Sequence, residues 1–403
     1  MANLRFLTSG ESHGQALVGV LEGIPAGVAV SSDEIDRELR RRQQGYGRGG
    51  RMKIESDHAR IIAGVRWGMT IGSPVSILVE NRDWQNWREG MSVEEGYENS
   101  IKPVTRPRPG HADLAGVLKY GRADIRDILE RSSARETAMR VALGAVARKF
   151  LSLFDVRVGS YVTGIGGEKT GAGSPVAGEK ALIGMFEKAE KSPVRCPDTE
   201  TSKKMIRAID KAAKEGNSLG GTFDVFITGL PAGLGSHIQW DRKLDGRLAQ
   251  AVMSIQAIKG VEIGAGFEMG GRPGSEVMDE IFFSRRRDAK NRAGGFYRRT
   301  NNAGGIEGGM TNGMPVIVRA AMKPIPTLRK PLRSVDVRTG KPFQAAYERS
   351  DVCAVPAAAV VAEAMTALVA ADAFLEKFGG DSAGETRRNF DSYIVRMGRH
   401  RKG

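Results

Sequence analysis

Two histidines set among glycines and prolines carry the clearest chemical signal in the sequence. His13 sits in Gly10-Glu11-Ser12-His13-Gly14. An imidazole titrates near neutrality, which suits a general acid, and glycines on both sides let a ligand come close to the backbone. A hydrogen-bonded turn histidine is the other reading of this loop. Gly10-x-Ser12-x-Gly14 also matches an esterase nucleophile elbow, but that motif needs a helix directly after the serine. The sequel from Gln15 to Gly23 reads as a strand and a turn, which argues against the esterase alternative. The second histidine, His111, follows Arg106-Pro107-Arg108-Pro109-Gly110. Proline fixes φ at two positions there and holds Arg108 and His111 with little entropy left to lose.

The chain is basic, with a formal net charge of +14. Nucleic acid, an acidic membrane face or an anionic small molecule are the partners this charge allows. Its arginines crowd beside glycines at 40–51, 106–108, 122–135 and 285–299 rather than along one helix. Guanidinium groups offer planar pairs of donors to carboxylate and phosphate, so separate clusters can converge on one compact anion. A generally basic solvated surface is the alternative. The tract holding Arg42, Arg48 and Arg51 resembles an RNA-binding Arg–Gly segment, yet it occurs once and is bounded by structured stretches. A phosphate- and carboxylate-gripping loop therefore fits it better. Arg131-Ser132-Ser133 is expected to open a helix whose free N–H groups favour an anion. Lys323-Pro324-Ile325-Pro326-Thr327 and Arg349-Ser350-Asp351 form a second cluster. Asp351 there is either a buried carboxylate tuned by Arg349 or half of an exposed pair. His58, His237 and His400 lack a comparable setting and read as structural.

Cys196 and Cys353 lack the spacing of a metal site and are too few for a disulfide framework, so reduced cytosolic thiols and no metal are expected. Rossmann and P-loop fingerprints are absent. The N-terminus shows no signal-peptide stretch, and the longest apolar run, around 352–374, is interrupted by Glu363 and Asp372.

These groups must be held by a scaffold rich in tight turns, since the chain has 52 glycines in 403 residues. Strand-like runs are expected at 16–21, 75–79, 156–162, 223–227 and 316–320. Helices are expected from a Ser133-x-x-Glu136 capping box to about Leu151, from Asp198 or Thr199 to Gly216, from Asp241 to Gly260, and from near Pro356 to Gly379. Strands and helices do not alternate one for one, which disfavours a doubly wound sheet. Residues 284–300 read as a mobile basic loop, 164–178 as a Gly-rich connection, and the tail from Asp381 as polar and loosely ordered at its tip. Gly23-Ile24-Pro25-Ala26-Gly27 returns as Gly229-Leu230-Pro231-Ala232-Gly233. Gly68-Met69-Thr70-x-Gly72-x-Pro74-Val75 returns as Gly309-Met310-Thr311-x-Gly313-x-Pro315-Val316. This order suggests two related halves, 15–150 and 222–378, about a pseudo-twofold axis within a single domain over 1–403.

Taken together, Gly10 to Gly14, Arg108-Pro109-Gly110-His111-Ala112-Asp113, Arg131-Ser132-Ser133-Ala134-Arg135-Glu136-Thr137, Gln256-Ala257-Ile258-Lys259-Gly260, Asn302 to Gly309 and Arg349-Ser350-Asp351 make the chain resemble the chorismate synthase family. The resemblance runs from Gly10 to about Ala364, without departure at the motif positions. It implies a carbon–oxygen lyase of the shikimate pathway, which expels phosphate from 5-enolpyruvylshikimate 3-phosphate by anti-1,4-elimination to give chorismate. The family requires reduced FMN although the reaction has no net redox change, and NADPH enters as an indirect reductant. The implied fold is α+β, a helical layer between two antiparallel sheets, assembled as a cytoplasmic homotetramer that engages neither nucleic acid nor membrane. By the same resemblance His13 protonates the departing phosphate, His111 assists the flavin's protonation state, and Asp351 accepts a proton relayed through the flavin. Arg42, Arg48, Arg51, Arg108 and Arg135 grip substrate anions, with Arg42 and Arg48 also at positions given nicotinamide contacts. Arg131, Ser132, Ser133, Gln256, Ala257, Gly308, Lys323, Pro324, Ile325, Pro326, Thr327 and Arg349 fall at flavin-binding positions.

Overall fold

The period-two apolar runs become the strands of two antiparallel sheets. The computed structural model describes residues 4–49, 57–171, 178–284, 292–345 and 351–399. The first sheet is built from β1 (Arg5–Ser9), β2 (Ala16–Glu22), β3 (Ala59–Ala63) and β4 (Val75–Glu80), in the order β1-β2-β4-β3. Leu17 pairs with Val79 and Leu21 with Val75, so the inward residues of both strands share one face. The second sheet contains β5 (Arg157–Ile165), β6 (Glu168–Lys169), β7 (Gly221–Thr228), β8 (Ile258–Ile263) and β9 (Val316–Met322), in the order β8-β9-β7-β5-β6. Strands β5 and β7 are buried on both faces. One face meets the long C-terminal helix, and the other is covered by helix Glu179–Glu190 through Leu182 and Phe186.

The helices that matter here are α1 (Ser32–Gln43), α2 (Asp113–Tyr120), α3 (Arg126–Ser132), α4 (Thr137–Ser152), α5 (Leu244–Met253), α6 (Val355–Phe378) and α7 (Ala383–Arg399). Helix α4 packs on β2 and β4, α6 packs on β5 and β7, and α4 and α6 pack on each other. Two glycines permit this closeness. A Cβ at Gly19 of β2 would stand 2.5 Å from the Met139 side chain of α4, and one at Gly144 of α4 would stand 2.4 Å from Ala364 Cβ of α6. Phe150, Phe154, Phe374, Phe378 and Phe390 close the core at one end with ring centroids 4.5–5.9 Å apart.

Helix α6 spans 24 residues with a mean hydropathy of 1.8 in its most apolar window, which would suffice to cross a bilayer. That window is 89% buried inside the protein, so the helix is the core's axis. Fully buried Glu363 sits on it. Its carboxylate accepts from Arg41 at 2.8 and 2.9 Å, from Arg195 at 3.0 Å, from Ser160 at 2.6 Å and from Arg148. Burial pushes this carboxyl up, but Arg41, Arg148 and Arg195 outweigh it and hold it at about 2. A depressed folded-state value stabilises the fold above the unfolded value near 4.5, and that contribution fades as pH falls towards 2. Glu363→Gln would leave buried guanidinium groups short of an anion. It is expected to cost about 3 kcal/mol, read as a lowered thermal midpoint at pH 7, with a smaller difference from the parent below pH 4.

Both sheets share a strand arrangement, with β1-β2-β4-β3 running parallel in order to β5-β7-β9-β8. The repeated Gly/Pro motifs close alike. Thr70 Oγ1 donates to Pro25 O and accepts from Val28 N, while Thr311 Oγ1 donates to Pro231 O and accepts from Leu234 N.

Four local expectations need correction. Ser133 Oγ accepts from Arg135 N and caps a 3-10 turn, and Glu136 bonds Thr8, Arg140 and Gln256 rather than closing a capping box, so the helix starts at Thr137. Arg131 and Ser132 accordingly end α3 instead of opening α4. Helix α5 stops at Met253, because Ala257 takes a left-handed φ of 66° and the chain turns into β8. The expected basic loop of 284–300 instead holds a strand, Phe296–Arg298, paired with Ile281–Phe283. Residues 285–291 of that loop lie outside the described residues, as do 172–177 of the Gly-rich connection and the tip of the tail from His400, which follows α7 with its buried Phe390.

Candidate active site

One cavity of about 760 Å³ collects residues from seven stretches of the chain. The His13 loop runs between β1 and β2, and the segment Arg108–Ala112 leads into α2. The junction of α3 and α4 supplies Ser132, Ser133, Ala134, Arg135 and Thr137, and the end of α1 adds Arg42. The turn from α5 into β8 contributes Ile255, Gln256 and Ala257, while Lys323 to Thr327 follow β9. The first turns of α6, preceded by Asp351, complete the lining with Ala354, Ala357 and Ala358. His13, His111 and Asp351 thus share one enclosure with Arg42, Arg48, Arg108 and Arg135. Ser132, Ser133, Gln256, Ala257, Lys323, Ile325, Pro326 and Thr327 line it too.

Three expected residues stand apart. Arg131 turns away, donating to Gly10 O at 3.0 Å and Thr8 O at 2.6 Å, and so ties α3 to the end of β1. Gly308 lies in the hairpin between Ile306–Glu307 and Met310–Thr311 and does not line the cavity. Pro324 likewise does not line it, although its neighbours do. Arg51 and Arg349 lie outside the described residues.

His13 is built into a frame. Its Nδ1 is 2.8 Å from Glu130 Oε1, its own backbone N–H donates to Glu130 Oε2 at 2.7 Å, and Ser12 N donates to Glu130 O at 3.0 Å. Nδ1 therefore carries the proton donated to the carboxylate, and the transferable proton belongs to Nε2. The indole of Trp87 lies 4.1 Å from the imidazole, tilted by 36°. Glu130 is buried, which pushes its carboxyl up. Hydrogen bonds and charge from His13, and the charge of Arg126, more than offset this and keep it below the usual range.

His111 repeats the pattern. Its Nδ1 lies 2.6 Å from Asp113 Oδ1. Arg108 donates to Asp113 through Nε at 2.9 Å, Nη2 at 3.1 Å and its backbone N–H at 3.0 Å, and reaches Thr327 Oγ1 at 3.2 Å. Burial pushes the Asp113 carboxyl up, but His111 and Arg108 overcome it and hold it well below the ordinary carboxylate range. Gly110 adopts φ 78°, the left-handed turn that glycine takes without strain, and its carbonyl accepts from Lys323 Nζ at 2.9 Å. Burial and neighbouring Lys259 push the Lys323 ammonium down.

The arginines are positioned by buried anions and hydroxyls. Asp57 pairs with Arg135 Nη1 and lies 3.6 Å from Arg42 Nη1. Arg42 donates further to Thr137 Oγ1 and Ala134 O, both at 3.0 Å. Asp351 is partly buried and pairs with Arg48, while Arg349 lies outside the described residues. Its Oδ2 lies 2.9 Å from Arg48 Nη1, and its Oδ1 accepts from Gly49 N at 2.7 Å. Gln256 Nε2 donates to Glu136 Oε2 at 3.2 Å, while its buried Oε1 has no hydrogen-bond partner among the described residues. Cys353 beside this site is buried, which pushes its thiol up to about 12 and leaves it inert. Among the described residues no group of acidic, His or Cys side chains could hold a metal ion.

Sequence reasoning missed Glu130, Asp113, Asp57 and Trp87. Asp113 stood in plain view, two residues beyond His111 in a string already singled out. Glu130 directly precedes Arg131-Ser132-Ser133, and an acidic residue in a basic run is a usable signal. No local pattern marks Asp57 or Trp87.

Comparison with known proteins gives a consistent result. The family model described as chorismate synthase matches residues 4–375. The chain is 58% identical over 394 residues to chorismate synthase of Pelobacter propionicus, covering 98% of this chain and 99% of that one. It is 59% identical to that of Geobacter metallireducens, covering 97% and 98%, and 56% identical to that of Aquifex aeolicus, covering 97% of each. A solved structure titled as the crystal structure of chorismate synthase superposes with a TM-score of 0.80 at 46% identity, covering 98% of both chains.

Proposed function

The chain belongs to the chorismate synthase family, lyases that eliminate phosphate from 5-enolpyruvylshikimate 3-phosphate to give chorismate in the shikimate pathway, and we propose that the cavity around His13, His111 and Asp351 is where this chain does so. The observation that carries the reading is the meeting of both imidazoles, Asp351 and four arginines on one enclosure of about 760 Å³. A volume in the range of about 300–1,000 Å³ suits a small-molecule site. The substrate carries a phosphate and two carboxylates, and Arg42, Arg48, Arg108 and Arg135 supply matching cations.

The family uses reduced FMN, and the residues here fit such a group. Met253, Ile255, Ile258, Met322, Ile325 and Pro326 offer apolar lining for a planar ring. The buried, partnerless Gln256 Oε1 can accept from a ring N–H, and Ser132, Ser133 and Lys323 suit polar and phosphate groups. Held by these residues, reduced FMN would supply transient electron density to the substrate as phosphate leaves, with no net redox change.

The protein's own part is electrostatic and protonic. His13 as imidazolium gives the Nε2 proton to a departing phosphate oxygen, while Glu130 stabilises the cation beforehand. Asp113 holds His111 in one tautomer facing the same cavity. Asp351, fixed by Gly49 N and Arg48, takes up the proton that the substrate loses. The arginines orient the substrate, and their buried partners, Asp57 and Asp113, keep them pre-organised. Chorismate formation under anaerobic conditions with chemically reduced FMN tests the reading. Activity with FMN plus NADPH in the same assay would show that the chain also reduces its flavin, whereas inactivity in both overturns the proposal.

Since substrate binding is driven by an arginine cluster, raising ionic strength from about 0.05 to about 0.5 M is expected to raise KM about fivefold while kcat holds, as the screening length shortens. A salt-independent KM would contradict the anion-gripping role.

We infer further that 15–150 and 222–378 are duplicated halves of one catalytic domain. Support comes from the shared strand order and the matched bonds of Thr70 and Thr311. Superposing the two sheets is expected to lay α4 on α6, and a displaced α4 would argue for chance. A cytoplasmic homotetramer is the assembly we assign, supported by exposed Ile238, Trp240 and Phe267, with sedimentation velocity as the check.

A further inference from the structure

We propose that Glu130 is the positioning residue for His13, and that Arg126 and Trp87 complete a frame that sets the tautomer and charge of the imidazole. The proposal rests on His13 acting as the acid in the reading above.

Three observations carry it. Glu130 holds His13 twice, through ring Nδ1 at 2.8 Å and through backbone N–H at 2.7 Å, so the carboxylate fixes both the loop and the ring. Only 2% of the Glu130 side chain and 13% of the His13 side chain are exposed, so little water screens the contact. Arg126 binds from the far side, with Nη1 3.4 Å from the same Glu130 Oε1 and its guanidinium 5.0 Å above the Trp87 ring. Trp87 in turn covers the imidazole. A ring, a carboxylate, a guanidinium and an indole thus form a closed circuit in which each member touches two others.

The physical consequence has a definite sign. The carboxylate favours the imidazolium and keeps Nδ1 protonated, which commits Nε2 to the proton that is transferred. Arg126 opposes this by sharing the carboxylate's charge and by standing as a like charge. The charged groups on the cavity lining that His13 shares are Arg42, Arg48, Arg108, Arg135, Lys259, Lys323, His111 and Asp351, Glu11 stands two residues away in its own loop, and Asp83 accepts from Trp87 Nε1 at 3.0 Å. Most are cations, and Glu130 is the carboxylate placed against the imidazole itself. Trp87 shuts water from one face of the ring.

The stacked indole also supplies the test, because imidazolium quenches indole fluorescence. In the full-length chain with W67F, W84F and W240F, Trp87 is the sole tryptophan. Its emission is expected to fall through one transition as pH is lowered, and His13→Gln should abolish that transition. Glu130→Gln should move the midpoint at least about one pH unit lower, a tenfold loss of proton affinity, and should move the alkaline limb of kcat by the same amount. Arg126→Met should move both the opposite way, which keeps the idea testable if Glu130→Gln folds poorly. Overturning results are a midpoint unmoved in both variants, or a transition that survives His13→Gln. If the transition behaves as stated but His13→Gln retains full turnover, the acid assignment falls while the frame stands.

Discussion

His13→Ala is expected to lower kcat by roughly 10²–10⁴-fold, the usual worth of a positioned general acid, with FMN affinity little changed. The departing phosphate loses its proton donor once the imidazole is gone, and the group left beside it is no substitute. Glu130 is the nearest candidate, but it is held below the usual carboxylate range and stays ionised at working pH. FMN affinity is spared because the proposed flavin contacts lie on other elements, at Ser132, Ser133, Gln256 and Lys323 to Thr327. The alanine also strips a partner from buried Glu130, so a structural cost has to be separated from a chemical one. His13→Gln does this, since its amide can still donate to the carboxylate. Both variants should be equally slow in a stopped-flow assay of chorismate formation. Recovery of turnover in the glutamine variant would reduce His13 to a prop for its loop.

Asp351→Asn should cut kcat about 10²–10³-fold without raising KM. The asparagine keeps the shape, and its carbonyl oxygen can still accept from Gly49 N, a bond now 2.7 Å long. What it loses is the ability to take a proton, together with the anion that partners Arg48 at 2.9 Å. Losing a negative charge from a cavity that receives a polyanion cannot weaken ground-state attraction, so KM should hold or fall. Reduced kcat with intact binding marks an interaction made only on the way to the transition state. The contrary pattern, full kcat with a raised KM, would assign Asp351 to anchoring the Arg48 loop and nothing more. Single-turnover measurements separate the two without interference from product release.

The strands at 16–22 and 75–80 were legible because alternation along a strand is a local property, and those at 221–228 and 316–322 because a short apolar run rich in β-branched or aromatic residues is one too. The long buried helix Val355–Phe378 was legible for a related reason, an apolar run opened by proline and closed by glycine. Misreadings cluster where a turn competes with a helix. Between Met253 and Ile258 a left-handed Ala257 ends an apparently continuous helical pattern, and at Ser133–Glu136 a capping signature was overridden when Glu136 found better partners in Arg140 and Thr8. Tertiary contacts overrode local preference at both places.

From its sequence alone this chain disclosed its family, its candidate site residues and most of its strands, because residue type and short-range spacing dictate these. What the sequence could not tell was pairing. Glu130 reaches His13 across 117 positions, Asp57 reaches Arg135 across 78, and Asp351 reaches Gly49 across 302. Such partnerships arise when helices and sheets pack and distant segments come within hydrogen-bond distance in a low-dielectric interior. Only there does a carboxylate stand against an imidazole, and that juxtaposition belongs to the folded chain.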